Sequence, residues 1–592
     1  YDLIRYLADH GGSASAAELK AARLSTPAVL RSLQARGLVC LQQRRVWRQT
    51  LSGRVTEASP PVLLTAEQAE AVTQLCNALE AGVFSEHLLF GVTGSGKTEV
   101  YIRAAEHALA AGRQVFCLVP EIALAAQTVE RFVSRFPGRV ALLHSGLTAG
   151  QLADEWDRVS RGDADIVVGA RSALFAPLTR PGLFVLDEEH EWTYKQEDVA
   201  PRYHARDVAR ELARSAGAVL LLGSATPDVG TFHRAVSGET ELHLLPERIG
   251  GTVGLPPVAV VDMRMELRAG NADVFSRSLQ QALAETYARG EQALLFLNRR
   301  GTATLVQCRH CGYTFSCPRC SVALAHHAVS NRLVCHRCGY SSAVPAACPR
   351  CRSHSIRFLG IGTQRVAAAA GALLPEARIM RWDSDVPATQ RAGAGLQDAV
   401  RAQSVDVIVG TQMVAKGHDF PKVTLVGIIG ADLGLAVPDF RSSERTFQLI
   451  SQASGRAGRG VRPGRVVIQT YSPGNYVIES AATHDYRSFY QQEIRYREES
   501  GYPPFSLMLL LVYSHSNEGS CRREVERVHR ELSRRARATD LQLTGPAPAY
   551  VQRLRGRYRW QFTVRGTRPE EALLGVALPR GWVVDVDPGS VA

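Results

Sequence analysis

Gly91-Val92-Thr93-Gly94-Ser95-Gly96-Lys97-Thr98 follows an apolar run at 88–90 and precedes a helix-forming segment, the strand–turn–helix setting in which a glycine-rich backbone can cradle phosphate. Main-chain N–H groups of the turn would surround phosphate oxygens, Lys97 would reach the outer phosphates and Thr98 would hold Mg²⁺. Farther on, the apolar run 183–186 ends in Asp187-Glu188-Glu189-His190. An acid at the C-terminal end of a strand beside such a turn can hold the same cation. Asp187 is therefore assigned to Mg²⁺, and Glu188 to orienting the attacking water. Gln452-Ala-Ser-Gly455-Arg456-Ala-Gly458-Arg459 presents two arginines suited to stabilising charge on a transferring phosphoryl group. The expected cofactors of this set are ATP and Mg²⁺. Gln68 either reads the adenine edge or belongs to an exposed helix cap, and the hydroxyls of Gly223-Ser224-Ala225-Thr226-Pro227 can relay the nucleotide state. The loop 411–420, with Lys416 and Gly417, could touch both backbone phosphates and nucleotide. A GTPase reading fails for want of an Asn-Lys-x-Asp element.

A second chemistry lies between residues 308 and 351, which hold eight of the twelve cysteines as four Cys-x-x-Cys pairs: Cys308/Cys311, Cys317/Cys320, Cys335/Cys338 and Cys348/Cys351. Each pair offers two thiolates from one tight turn, so eight thiolates predict two closed, structural Cys₄ zinc sites rather than disulfides. Pairs one and three are followed by Gly312 and Gly339, whereas pairs two and four read Cys-Pro-Arg-Cys. One pair of each kind per ion allows neighbouring or nested pairing. His310, His336 and His354 read as surface residues rather than ligands.

The elements that must position these groups are legible as alternating apolar runs and helical segments. Strands are expected at 88–90, 115–119, 140–143, 166–168, 183–186 and 219–222, and a second series at 293–297, 379–381, 407–409, 424–429 and 465–469; such alternation argues for parallel sheets wrapped by helices. The cysteine cluster interrupts the second series after its first strand. Three short helices before residue 36 and the alternating segment 38–47 suggest a winged helix, and Ser59-Pro60-Pro61 a linker. Strands near 507–512, 561–564 and 582–586 around a charged helix at 522–537 suggest a separate α+β domain.

The P-loop, the Asp-Glu-Glu-His box, the Ser-Ala-Thr box and the Gln-x-x-Gly-Arg-x-x-Arg box, in this order, resemble the superfamily 2 helicases, which implies two RecA-like lobes with ATP between them. The cysteine-rich insertion after Phe296-Leu-Asn-Arg-Arg-Gly301 and the segment Trp192-Thr-Tyr-Lys195-Gln196 resemble the bacterial primosomal protein N′ (PriA) family over essentially the whole chain. The resemblance implies an α/β fold class with these boundaries: winged helix 1–58, lobe 1 at 62–245, lobe 2 at 246–302 and 352–500, zinc insertion 303–351, and α+β domain 501–592. It implies a nested ligand set, Cys308, Cys311, Cys348 and Cys351 on one Zn²⁺ and Cys317, Cys320, Cys335 and Cys338 on the other. It also implies an aromatic-rich loop in which Trp192 and Tyr194 stack on bases while Lys195 meets a phosphate. The alternating Arg553, Arg555, Arg557 and Arg559 suit a basic strand edge on DNA. The implied activity is 3′→5′ ATP-dependent unwinding at stalled or repaired forks, with primosome assembly for replication restart. Implied partners are forked and single-stranded DNA, single-stranded-DNA-binding protein, PriB, DnaT and DnaB, and the implied state is a cytoplasmic, nucleoid-associated monomer. The family's N-terminal domain for a nascent 3′ end has no counterpart here, and a chain beginning at Tyr1 reads as a fragment.

Composition agrees with this frame. The 592 residues fit about three to five domains, and the longest apolar stretch, near 507–513, falls far below the roughly 18 residues of a membrane span. Lys+Arg 69 against Asp+Glu 57 gives a net charge of +12, compatible with a polyanionic partner. Only Lys20, Lys97, Lys195, Lys416 and Lys422 are lysine, which reads as codon bias but places two of the five inside glycine-containing motifs. The rival readings are a duplex translocase or RNA helicase with the same motor, and a fork-binding scaffold of weak turnover.

Overall fold

The computed structural model describes residues 2–22, 24, 26–41, 62–120, 126–249, 254–297, 304–319, 323–327, 331–336, 338–359, 362–383, 399–400, 402–412, 420, 422–458, 462–536 and 539–591. It divides into two compact units, 1–50 and 51–592.

The first unit holds α1 (Asp2–Asp9), α2 (Ala16–Ala21) and α3 (Pro27–Ala35), with Leu3 and Leu19 inward. Ser15 and Glu18 form a reciprocal cap at the start of α2, and Thr26 with Pro27 starts α3, both arrangements that satisfy orphan helix N–H groups. Most of the expected wing, and the linker, lie outside the described residues.

In the second unit, β1 (Ser85–Gly91), β2 (Gln114–Leu118), β3 (Val140–Leu143), β4 (Ile166–Gly169), β5 (Pro181–Asp187), β6 (Val219–Ser224) and β7 (Glu241–Leu245) form a parallel sheet in the order β3-β4-β2-β5-β6-β1-β7. The inner strands carry near-continuous apolar residues because helices cover both faces. Two buried clusters result, one holding Leu88, Phe184 and Leu220, the other Leu89, Val185 and Leu221. Each such side chain contributes about 1.5–3 kcal/mol on burial.

A second parallel sheet is interrupted by an insertion. Before it lie β8 (Val258–Asp262) and β9 (Gln292–Leu297). The insertion is an antiparallel sheet, β13-β12-β11-β10-β14, of β10 (Thr304–Cys308), β11 (Ala325–His327), β12 (Arg332–Val334), β13 (Ser341–Ala343) and β14 (Ile356–Leu359). Because β14 pairs with β10, the insertion's sheet runs to Leu359, past the boundary at 351 that the last cysteine suggested. After it come β15 (Ile379–Trp382), β16 (Val407–Gly410), β17 (Val423–Ile429) and β18 (Arg465–Thr470), giving the order β15-β16-β9-β17-β18-β8.

Four antiparallel strands, β19 (Leu507–His515), β20 (Gln542–Leu554), β21 (Arg557–Gly566) and β22 (Trp582–Val586), pack on the helix Glu518–Ala536. The sequence hides β20: Pro546 and Pro548 interrupt it, and its pairing shifts register between Thr544 and Ala547 and again between Pro548 and Arg553, as proline in an edge strand requires.

The two parallel-sheet lobes share a core. Phe232 of lobe 1 packs on Tyr486 and Tyr490 at ring-centroid distances of 5.1 and 4.8 Å, and Phe90 on Tyr486 at 5.2 Å. Each aromatic pair adds about 0.5–1.5 kcal/mol beyond burial.

Candidate nucleotide site and zinc centres

β1 delivers the phosphate loop. A Cβ on Gly91 would lie 2.5 Å from Ser95 Oγ and 2.9 Å from Leu245 Cβ, and Gly94 and Gly96 hold φ of +88° and +79°, conformations that favour glycine. Lys97 opens α5 (Lys97–Ala110), is buried, and donates from Nζ to Gly91 O at 2.8 Å. Ser95 Oγ is buried with no hydrogen-bond partner, an orphaned donor lining a helix N-terminus, as a phosphate-binding turn requires.

Asp187, at the end of β5, accepts from Tyr101 Oη at 3.1 Å and from Thr128 Oγ1 at 3.3 Å. Tyr101 reaches it because β6 has glycine at 223; a Cβ there would overlap the Tyr101 hydroxyl. Burial, reinforced by the neighbouring Glu188 charge and opposed by Lys97, raises the Asp187 carboxyl to about 6. A desolvated carboxylate short of positive charge fits a divalent cation, so Thr98 and Asp187 are the residues that would hold Mg²⁺. Glu188 has φ +47°, a left-handed conformation costing about 1–3 kcal/mol and typical of functional turns.

Lobe 2 meets this site through the helix Ser442–Ser454. His190 Nδ1 lies 2.6 Å from Ser224 Oγ, and its Nε2 lies 2.8 Å from Gln452 Nε2, so one imidazole joins the Asp-Glu-Glu-His, Ser-Ala-Thr and Gln-x-x-Gly-Arg boxes across the lobes. A Cβ on Gly455 would sit 3.3 Å from Thr93 Oγ1, which places the start of the arginine box against the phosphate loop. Arg456 is buried. Arg459 and Gly417 lie outside the described residues.

Three expectations about nucleotide and DNA contacts need correction. Gln68 is buried rather than exposed: its Oε1 accepts from Thr65 N at 3.0 Å and its Nε2 donates to Ser95 O at 2.8 Å. Its amide therefore braces the phosphate loop against α4 (Ala66–Ala81) instead of presenting itself to adenine. Of the three residues expected to meet DNA, Trp192 is exposed, at 39%, whereas Tyr194 is buried and donates from Oη to Asp187 O at 2.8 Å. Lys195 is buried too, its Nζ donating to Val586 O at 2.7 Å and pairing with Asp585 at 2.9 Å. Stacking by Tyr194 and phosphate contact by Lys195 are thus not available in this conformation, because a buried phenol and a buried ammonium must find polar partners, and here these are protein groups. Finally, the alternating arginines do not form one strand edge: Arg555 and Gly556 have φ of +48° and +80° and turn the chain between β20 and β21.

A network the motifs did not announce surrounds the lobe seam. Glu189 and Asp228 share Arg206, at 3.1 and 3.2 Å, while Glu444 accepts from Val229 N at 2.8 Å and pairs with Arg497 at 2.7 Å. These guanidiniums, with Arg441, hold the Asp228 carboxyl far below the usual range. Tyr101 could have been found, four residues after Lys97 on the same helix face; the seam partners come from segments too distant in sequence to pair by inspection.

The insertion gathers its thiols in nested order. Cys308, Cys311, Cys348 and Cys351 form one group and Cys317, Cys335 and Cys338 another; Cys320 lies outside the described residues. Sγ separations are 3.6 Å for Cys308–Cys351, 3.7 Å for Cys311–Cys348 and 3.5 Å for Cys317–Cys338. A tetrahedral S₄ zinc site with bonds near 2.3 Å has edges of about 3.8 Å, so the donors fit Zn²⁺. Gly312, Gly339 and Arg352 end three of the turns with φ of +74°, +72° and +61°. His336 is buried rather than on the surface, its Nδ1 3.1 Å from Pro548 O, which docks the insertion on the C-terminal domain.

Two facing parallel-sheet lobes, a phosphate loop on one and a glutamine-arginine box from the other closing over it, define a superfamily 2 helicase core. Family profiles agree: DEAD/DEAH box helicase at 65–234, Helicase conserved C-terminal domain at 361–461, PriA DNA helicase Cys-rich region (CRR) domain at 317–342 and Primosomal protein N C-terminal domain at 498–589. The chain belongs to the PriA replication-restart family. It is 43% identical to Replication restart protein PriA of Bacillus subtilis (strain 168), over 93% of this chain and 68% of that protein. It is 40% identical to the PriA of Synechocystis sp., over 99% of this chain and 70% of that protein. Among solved structures, RecG bound to a three-way DNA junction aligns with 18% identity and a TM-score of 0.42, covering 75% of this chain and 48% of that one. No helix among the described residues is long and apolar enough to cross a membrane.

Proposed function

We propose that this chain is an ATP-dependent DNA helicase that moves 3′→5′, recognises stalled or repaired forks and initiates primosome assembly for replication restart. The observation that carries the reading is the bridge Ser224–His190–Gln452, with Gly455 against Thr93: the nucleotide site is completed only when the second lobe is docked, so a change at the γ-phosphate alters how the lobes sit. Lys97 and the loop amides bind phosphates, Thr98 and Asp187 hold Mg²⁺, Glu188 orients water, and Arg456 and Arg459 stabilise the transferring phosphoryl group. Bound Mg²⁺ would neutralise charge developing between the phosphates. Two Zn²⁺ ions brace the insertion through the eight cysteines, and Trp192 stacks on single-stranded DNA. Single-stranded-DNA-binding protein, PriB, DnaT and DnaB are the proposed partners of a nucleoid-associated monomer.

The test is ATP hydrolysis with and without forked DNA, beside Lys97→Ala and an RNA fork of the same shape. Turnover stimulated by DNA and lowered about 10²–10³-fold in Lys97→Ala supports the motor; equal, residual hydrolysis in both chains with intact fork binding would overturn it. Unwinding of partial duplexes carrying 3′ or 5′ tails decides direction.

A further inference from the structure

At one edge of the lobe 1 sheet, β1 and β7 run parallel with His87 beside Glu241 and Leu89 beside His243. Residues two apart on a strand share a face, so His87, Glu241 and His243 project together. His87 Nδ1 lies 3.0 Å from His243 Nε2 and 3.4 Å from Glu241 Oε2, and all three ligand atoms fall within 4.8 Å of one another.

We propose that His87, Glu241 and His243 form a third metal site, for a divalent cation of the zinc class with solvent as its fourth ligand. Metal bonds of 2.0–2.1 Å in a tetrahedron put neighbouring donors about 3.3–3.4 Å apart, close to both separations seen. The Glu241 carboxylate and the two rings turn toward one another, and a neutral imidazole offers one ring nitrogen as a lone pair. His87 Nε2 is held by Ser85 Oγ at 2.9 Å, the kind of outer contact that fixes the ring orientation of a metal-bound histidine. The histidines are buried while the Glu241 side chain is 53% exposed, which supplies an entry path. A nitrogen-nitrogen-oxygen donor set suits zinc, cobalt or nickel over the hard, oxygen-seeking Mg²⁺ of the nucleotide site.

The site has a mechanical consequence. β7 runs directly into the phosphate loop: Leu245 O accepts from Val92 N at 3.1 Å, and Ile249 N donates to Gly94 O at 3.0 Å. A cation joining β7 to β1 pins the strand against which that loop rests.

Native mass spectrometry of the full chain at saturating Zn²⁺ tests the assignment. Three zinc ions are expected in the parent chain and two in His243→Gln; two in both, or three in both, would overturn it. Glu241→Gln, at an exposed position, guards against misfolding and is expected to weaken the third site about tenfold or more, since even losing an outer contact costs 10–100-fold; unchanged affinity counts against the site. With Co²⁺, the third equivalent should add d–d absorption without the thiolate charge-transfer band of the Cys₄ sites. A third equivalent that brings that band would also reject the proposal.

Discussion

Asp187 ends β5 and Asp228 follows the adjacent β6, both in crowded surroundings, and their carboxyls move in opposite directions. Asp187 is raised to about 6 because burial and Glu188 outweigh Lys97; Asp228 is driven far down because Arg206, Arg441 and Arg497 face it. The difference separates a finished joint from a waiting site. On the seam the protein supplies the positive charge itself, partly from lobe 2; on the phosphate side it withholds that charge, leaving a cation to provide it. The same parallel α/β framework serves both, so the chemistry lies in what is grafted on the strand ends.

The comparison breaks most visibly at Arg206. Arg206→Met leaves Glu189 and Asp228 without their shared partner, and stranding a buried charge costs about 3–5 kcal/mol; denaturant unfolding at pH 7 should show this loss. Since the Asp228 carboxyl is depressed, its contribution is present above its ordinary value of 3.8 and disappears as pH falls below it, so the parent and variant curves should converge in acid.

The phosphate side predicts the reverse sensitivity. With Asp187 at about 6 in the folded chain, protons compete with Mg²⁺ below that pH, and Mg²⁺-dependent nucleotide affinity should fall about tenfold for each further unit. Titration of a fluorescent nucleotide between pH 5 and 7 reads this, and Asp187→Asn should flatten the profile. An unchanged profile in the variant would mean that another group competes with the metal.

The smallest effects separate the two aromatics of the loop. Trp192→Ala should weaken single-stranded DNA binding by about 1–3 kcal/mol. Tyr194→Phe should leave DNA affinity alone and cost about 1 kcal/mol of stability through the lost hydrogen bond to Asp187 O. If Tyr194→Phe weakened DNA binding as much as Trp192→Ala, the buried placement of Tyr194 would not describe the DNA-bound state.

Strands such as Val140–Leu143, at one edge of its sheet, and Ile166–Gly169, inside it, were legible because burial on both faces leaves an unbroken apolar run. The phosphate loop and Cys-x-x-Cys turns were legible because their chemistry is local. Edge strands β7 and β8 were not, since half their residues face solvent, and β20 was masked by its prolines. Burial decided Gln68, Tyr194 and Lys195, and burial is a tertiary property: an amide, a phenol and an ammonium near a nucleotide site carry the same letters whether they meet ligand or backbone carbonyls. The seam pairs Glu444–Arg497 and Asp228–Arg206 were invisible for the same reason.

The nested order of the zinc ligands sets a schedule. Cys317 and Cys338 are 21 residues apart, whereas Cys308 and Cys351 are 43 apart; each doubling of a closed loop costs about 0.6 kcal/mol, so the inner ring closes first by a factor of about three. Once closed, it shortens the free chain between the outer pairs and brings them together. A newly made chain short of zinc should therefore pass through a half-loaded state in which the inner turn is set while the outer clasp, which joins the insertion to its lobe, is still open.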